Sequence, residues 1–238
     1  EYPITTPYTF DHYRYIAFTE ASGRPLMNGG KLYTWQGGLD GRMRDPSRRW
    51  VAPMLAWLGV RWVVVHDDEY RNGGTEPPPR VRGARQVYRD PSSSLWRVRA
   101  APPQVAVIPA DNWGDAEPRP GGWSQWLGSH EGSLLVVNRR ARPARVTVTM
   151  SLGSFAEPRP FAFHADGRTL WTGTIATTPT PVSFAYTAPP GESRISLTSP
   201  MPATSIGQTL HIPDPRSVSV QVGGITVHGD GVPAFTLG

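Results

Sequence analysis

At 238 residues with 26 Pro and 25 Gly, the chain favours many short elements joined by turns over long helices. The absence of cysteine excludes a disulfide framework, a thiolate metal site and a cysteine nucleophile. No apolar run reaches the ~20 residues of a membrane helix, and the formal charge of +5 is confined to the front: residues 1–100 carry 15 basic and 10 acidic side chains, residues 101–238 nine of each.

In chain order, Phe10-Asp-His-Tyr-Arg-Tyr-Ile-Ala-Phe18 sets Tyr15, Ile16 and Phe18 near a helical stripe that Gly23 stops, and Asn28-Gly29-Gly30 and Gly37-Gly38 read as loops. Trp50-Val-Ala-Pro-Met-Leu-Ala-Trp57-Leu58 predicts a short amphipathic helix with Pro53 in its first turn and Gly59 at its end. Val60-Arg-Trp-Val-Val-Val65 predicts a buried strand, being short, β-branched and nearly continuous in apolar character. Asn72-Gly73-Gly74 and Pro77-Pro78-Pro79 mark an exposed linker. Two strands over 85–89 and 94–98 then flank Asp90-Pro91-Ser92-Ser93, a hairpin with turn chemistry between its arms. Residues 1–100 therefore read as a small α/β domain.

From residue 101 the texture changes. Strands are predicted over 133–138, 144–150, 160–165, 169–176, 182–187, 194–199, 217–222 and 225–228. Arg145-Val-Thr-Val-Thr-Met150 alternates strictly, with Val146, Val148 and Met150 inward and both threonines outward. Asp166-Gly167 and Pro189-Pro190-Gly191 supply turns. About eight short strands with no helix between them predict a mainly β fold: residues 101–238 as a jelly-roll-like antiparallel β-sandwich preceded by the small α/β domain.

Candidate chemistry is sparse. The six histidines show no metal-ligand pairing, and no nucleotide fingerprint accompanies the glycines, so no cofactor or metal is expected. Asp111, Asp115 and Glu117 hold oxygen ligands of the kind calcium takes; a solvated acidic loop is the reading preferred. His66, Asp67 and Glu69 follow a strand, where an α/β fold places acid–base groups, and support the alternative of a free-standing hydrolase. No nucleophile or phosphate loop accompanies them, so no catalytic residue is assigned. Arg42, Arg44, Arg48 and Arg49 fall in one short loop and are the candidates for contact with lipid headgroups; no nucleic-acid partner is expected. The aromatic signal is stronger. Trp113, Trp123 and Trp126 lie in a Gly- and Pro-rich stretch, and indole plates flanked by polar groups bind the apolar C–H faces of sugars. With Asp111, Asn112, Gln125 and His130 as a hydrogen-bonding rim, they form the candidate carbohydrate site, Trp113 and Trp123 as its stacking plates, while Trp126, next to the first strand, is read in preference as a ring of the sandwich core.

Taken in order, these segments resemble a known family. Arg24-Pro25-Leu26-Met27-Asn28-Gly29, Leu55-Ala-Trp-Leu-Gly-Val-Arg-Trp-Val-Val-Val-His66, and Val87-Tyr-Arg-Asp-Pro91 with Leu95-Trp-Arg-Val98 are similar to the extracytoplasmic tail of bacterial polytopic glycosyltransferases of the C-type superfamily. Gly122-Trp123, Trp126, Gly132-Ser-Leu134, Val137-Asn138, Ser154-Phe155, Pro158-Arg159, Asp166-Gly167, Pro190-Gly191-Glu192 and Asp214-Pro-Arg-Ser-Val-Ser219 resemble the β-sandwich that ends many of them. The resemblance implies a non-catalytic, carbohydrate-binding-module-like accessory domain, extracytoplasmic and tethered to the membrane. Its implied partners are a glycan and the membrane portion of the same protein; a purely structural domain is the further alternative. The family's membrane segments and acidic catalytic loop are not in this sequence, so no catalytic residue transfers.

Overall fold

The computed structural model describes residues 42–43, 45–72, 80–119, 122–229 and 231–238. The helix expected over 10–18, the glycine loops at 28–30 and 37–38, the Arg24–Gly29 stretch and the linker through 73–79 lie outside the described residues. The described residues form two compact units, 43–103 and Arg42 with 104–238. No helix among them is long and apolar enough to cross a membrane.

In the first unit, α1 (Val51–Trp57) buries Val51, Met54, Leu55 and Trp57 along one stripe. It ends on Gly59 at φ 81°, where the Val60 N–H reaches Leu55 O (2.8 Å) and the Gly59 N–H reaches Ala56 O (3.1 Å). That paired closure of the last turn needs a left-handed residue, which explains the glycine. β1 (Trp62–His66), β2 (Ala84–Arg89) and β3 (Ser93–Val98) form an antiparallel sheet in the order β1-β3-β2. The strand expected to be buried throughout alternates instead: Val63 and Val65 are inside and Trp62 is exposed. An antiparallel edge strand covered on one face has no need of apolar residues on the other. A short helix absent from the sequence reading, α2 (Asp67–Asn72), follows β1 directly.

The second unit is a β-sandwich. One sheet runs β10 (Arg168–Ile175), β9 (Arg159–Ala165), β12 (Gly191–Thr198), β7 (Glu131–Asn138), β4 (Val105–Pro109). The other runs β11 (Thr180–Ala188), β8 (Ala144–Ser154), β15 (Val220–Gly229), β6 (Gly122–Leu127), β5 (Trp113–Arg119), with β16 (Val232–Leu237) also paired to β15. All pairings in the two sheets are antiparallel. The links β7–β8, β8–β9, β10–β11, β11–β12 and β12–β15 each change sheet, which is the winding of a jelly roll. Val146, Val148, Met150 and Leu152 of β8 face Phe161, Phe163, Ile195 and Leu197 of the other sheet's strands across a common core, as the alternation predicted. The Phe163 and Phe184 rings, one from each sheet, meet at 5.1 Å. A two-stranded ribbon, β13 (Thr204–Ser205) with β14 (Ser217–Val218), and the one-turn helix α3 (Ile206–Leu210) lie between β12 and β15. Strands β4, β5, β6 and β16 and this helix exceed the sequence reading.

Candidate functional site

The stretch expected to be an aromatic loop is a hairpin, and that redistributes its tryptophans. Trp113 stands opposite Leu127 in the β5–β6 register, is 3% exposed, and donates its Nε1–H to Ser133 O at 2.9 Å. It is a core ring and presents no plate to a ligand. Trp123 and Trp126 are three residues apart on β6, so a strand's period of two sends them to opposite faces. Neighbouring Gln125 and Leu127 are buried, which leaves Trp126 on the outer face of the sheet, half-buried. The indoles expected as one platform do not form one.

The polar rim also divides. Gln125 is buried, its amide donating to Gly114 O (2.7 Å) and its Oε1 accepting from Arg42 Nε (3.3 Å). Arg42 is wholly buried, not part of a lipid-facing loop, and its Nη1 also donates to Gly223 O, tying β6 to β15. Burial in apolar surroundings lowers its pKa to about 10. Of the other arginines in that expected cluster, Arg48 pairs with Asp45 at 3.0 Å, Arg49 is exposed, and Arg44 lies outside the described residues.

Asp111 and Asn112, at the turn before β5, bond to Ser133 and Glu131 just beyond His130, and all three of Asp111, Asn112 and His130 are exposed. Asn112 adopts φ 64° and its amide caps Glu131 O (3.0 Å). The Asp111 carboxylate accepts from Arg194 and from the Ser133 hydroxyl. Glu117 accepts from Arg216 Nη1 (2.7 Å) and from Arg119 (3.1 Å), while Asp214 accepts from Arg216 Nε and Nη2, the side edge of the guanidinium. Flanking carboxylates raise the pKa of Arg216, and Arg216 lowers that of Asp214. The oxygens considered as calcium ligands at Asp111 and Glu117 are thus engaged by arginines. Among the described residues no three His, Cys, Asp or Glu side chains gather about one point.

Of the enzyme-like stretch, Asp67 has a structural role. Asp67 opens α2 at 1% exposure, pairs with Arg89 (2.8 Å) and accepts from Ser94 Oγ, so its carboxylate ties all three strands of the first unit. The Glu69 side chain lies outside the described residues.

What the fold does assemble is the outer face of the β11-β8-β15-β6 sheet. Trp126 stands opposite Gln221, which stands opposite Gly153. The Trp126 ring meets Phe155 edge-on at 5.8 Å between centroids. Gln221 lies across Gly153, where a Cβ would come within 3.1 Å of its Nε2 and 3.0 Å of Pro179. Four residues along β8, Ser183, Thr149, Thr226 and Thr236 align across four strands. Their hydroxyls pair as Thr149–Ser183 (2.9 Å) and Thr226–Thr236 (3.0 Å). Thr147 and His228 form the next row with Ala185. The face therefore offers an aromatic pair, an amide and hydroxyls, with no carboxylate in any of these rows. Sequence reading named Trp126 among the site residues but preferred it as a core ring, with Trp113 and Trp123 as the plates, and the structure reverses Trp126 and Trp113. Gln221 and the threonine row become legible only once the register of β15 against β6, β8 and β16 is known.

No protein-family model matches the chain, and no curated protein matches it. Among solved structures it is similar to the C-terminal CBM6 of LamC from Zobellia galactanivorans (12% identity, 52% of this chain and 98% of that one, TM-score 0.31). A carbohydrate-binding module of Cellvibrio mixtus lichenase 5A, solved with cellotriose, shares 9% identity over 71% of this chain and 97% of that one, with TM-score 0.28. The insecticidal δ-endotoxin Cry8Ea1 of Bacillus thuringiensis shares 12% over 62% and 30%, with TM-score 0.38. At these TM-scores the likenesses assign no role to any residue of this chain.

Proposed function

We propose that the sandwich binds a neutral glycan on the outer face of its six-stranded sheet, serving as the extracytoplasmic, non-catalytic accessory domain of a membrane glycosyltransferase. The observation that carries the glycan reading is the juxtaposition of the half-buried Trp126–Phe155 pair with the Gln221 amide and an uncharged hydroxyl row. Sugars present apolar C–H faces edged by hydroxyls; an indole takes the first and amide or hydroxyl groups the second. A flat open sheet is a shallow site, so affinity in the micromolar-to-millimolar range, roughly 4–8 kcal/mol, is expected. The accessory role rests on the sequence resemblance, and membrane spans upstream in the coding sequence are its direct check.

The site is tested by measuring retention of the chain on a panel of immobilised bacterial polysaccharides. Trp126→Ala should weaken binding at least about tenfold, as truncation of a stacked anchor does. The same substitution should cost about 2 kcal/mol in stability, from the edge-on ring pair and the half-buried indole area together, short of unfolding the chain. Unchanged retention in Trp126→Ala, with loss in Asp111→Ala or Asn112→Ala, would move the site to the loop end of the sandwich and overturn the face assignment.

A further inference from the structure

Among the described residues, the three-stranded sheet of the first unit buries the side chains of one face. Val63, Val65, Ser94 and Trp96 are buried, and the opposite face carries Trp62, Arg97 and Arg85 in one row and Val64, Leu95 and Tyr88 in the next. Trp62 is 46% exposed and Tyr88 56%, and Val87, at the irregularity in β2, is exposed beside them. Arg85 and Arg97 are exposed, and Arg61 and Arg99, at the strand ends, are exposed too. The Arg97 guanidinium lies 5.8 Å from the centre of the Trp62 ring. Neither row contains an acidic side chain. The adjacent carboxylate, Asp90, is folded into the hairpin turn by Ser92, Ser93 and the Tyr88 hydroxyl.

We infer that this face docks on an anionic lipid surface. Its charge is complementary to lipid phosphates, which the planar guanidinium fork matches. Its rings are of the two kinds that settle at headgroup depth, with an apolar body and a polar tip. The Val64, Leu95 and Val87 side chains beside the cations suit the acyl boundary and have no counterpart on the phosphate backbone of a nucleic acid. Arg85 and Arg97, with Arg61 and Arg99 beyond them at the same end of the sheet, flank these apolar groups on one side, so rings and chains enter while the cations remain among the phosphates. The inference is independent of the glycan reading, because it concerns the other unit and none of its residues.

The test is co-flotation of the 238-residue chain with vesicles of phosphatidylglycerol and phosphatidylcholine, set against phosphatidylcholine alone, at low and physiological salt. Binding to the anionic vesicles should exceed binding to neutral ones and weaken as salt rises. The double substitution Arg85→Gln with Arg97→Gln should lower the partition constant roughly thirtyfold. Because Arg97 stacks on Trp62, Arg85→Gln alone is the folding-safe variant, with an unchanged melting temperature and a loss of about fivefold. Arg140→Gln with Arg142→Gln, in the other unit, should change nothing. Equal binding to both vesicle types, full binding by the double variant, or tighter arginine-dependent retention on RNA or heparin than on vesicles would each overturn the proposal.

Discussion

Arg159 shows how much a single buried cation organises. Its side chain is wholly buried, and its guanidinium donates to Met201 O, Pro202 O and Thr204 Oγ1, pinning the segment after β12 onto the start of β9. Replacing it with alanine leaves those acceptors buried and unmatched, and should cost about 3 kcal/mol. For a chain of this size that lowers the melting temperature by roughly 6–12 °C, measurable by calorimetry. Asp90 gives a pH dependence. Hydrogen bonds from the Ser92 hydroxyl and N–H, the Ser93 N–H and the Tyr88 hydroxyl hold its carboxyl well below the usual aspartate range. A group whose folded pKa is depressed contributes fully above its unfolded pKa and loses that contribution as pH falls toward the folded value. Amide protection factors in the β2–β3 hairpin, taken relative to intrinsic exchange at each pH, should therefore fall as pH drops below about 4, and Asp90→Asn should abolish that acid-dependent step. The tryptophans are a contrasting case at this scale. Residue type marked Trp113, Trp123 and Trp126 as important, yet their environments differ because burial is set by strand register and not by composition.

At the scale of elements, the period of two explains both what was legible and what was missed. β8 and its partners alternate strictly, so their inward residues could be read directly. β4 is buried along its whole length and has no alternation to read, while β5 and β6 carry Gly, Pro and polar residues that mimic a loop. Close strand packing sets a separate constraint at Gly229, where a Cβ would collide with Arg145 O. A backbone oxygen cannot yield as a side chain can, so Gly229→Ala must part β15 from β8. The expected cost is about 1–3 kcal/mol, seen in denaturant midpoint without a change in slope.

At the scale of the whole molecule, the sandwich is held by contacts distant in sequence. β6 pairs β15 through Trp126 and Gln221, and the Arg42 side chain reaches Gly223 O. Such topology predicts slow folding, in milliseconds to seconds, because loop closure precedes any gain from pairing. Stopped-flow refolding monitored by tryptophan fluorescence checks this. The two sheets meet through Phe163 and Phe184. Phe184→Ala should destabilise the sandwich by about 3–5 kcal/mol through lost burial and the cavity left behind.

Some of this protein follows from its sequence alone. Absent cysteine, abundant turn residues and alternating β-branched strands determine a mainly β sandwich after a small α/β unit, because pattern and turn chemistry act locally. Tertiary structure alone decided which side chains share a surface. It buried Trp113, Gln125, Arg42 and Asp67, joined Trp126 to Phe155 and Gln221, and aligned Ser183, Thr149, Thr226 and Thr236 across four strands. It also left Trp62, Arg97 and Arg85 in one exposed row. Cross-strand neighbours are fixed by register between segments up to about a hundred residues apart, and no local propensity carries that information.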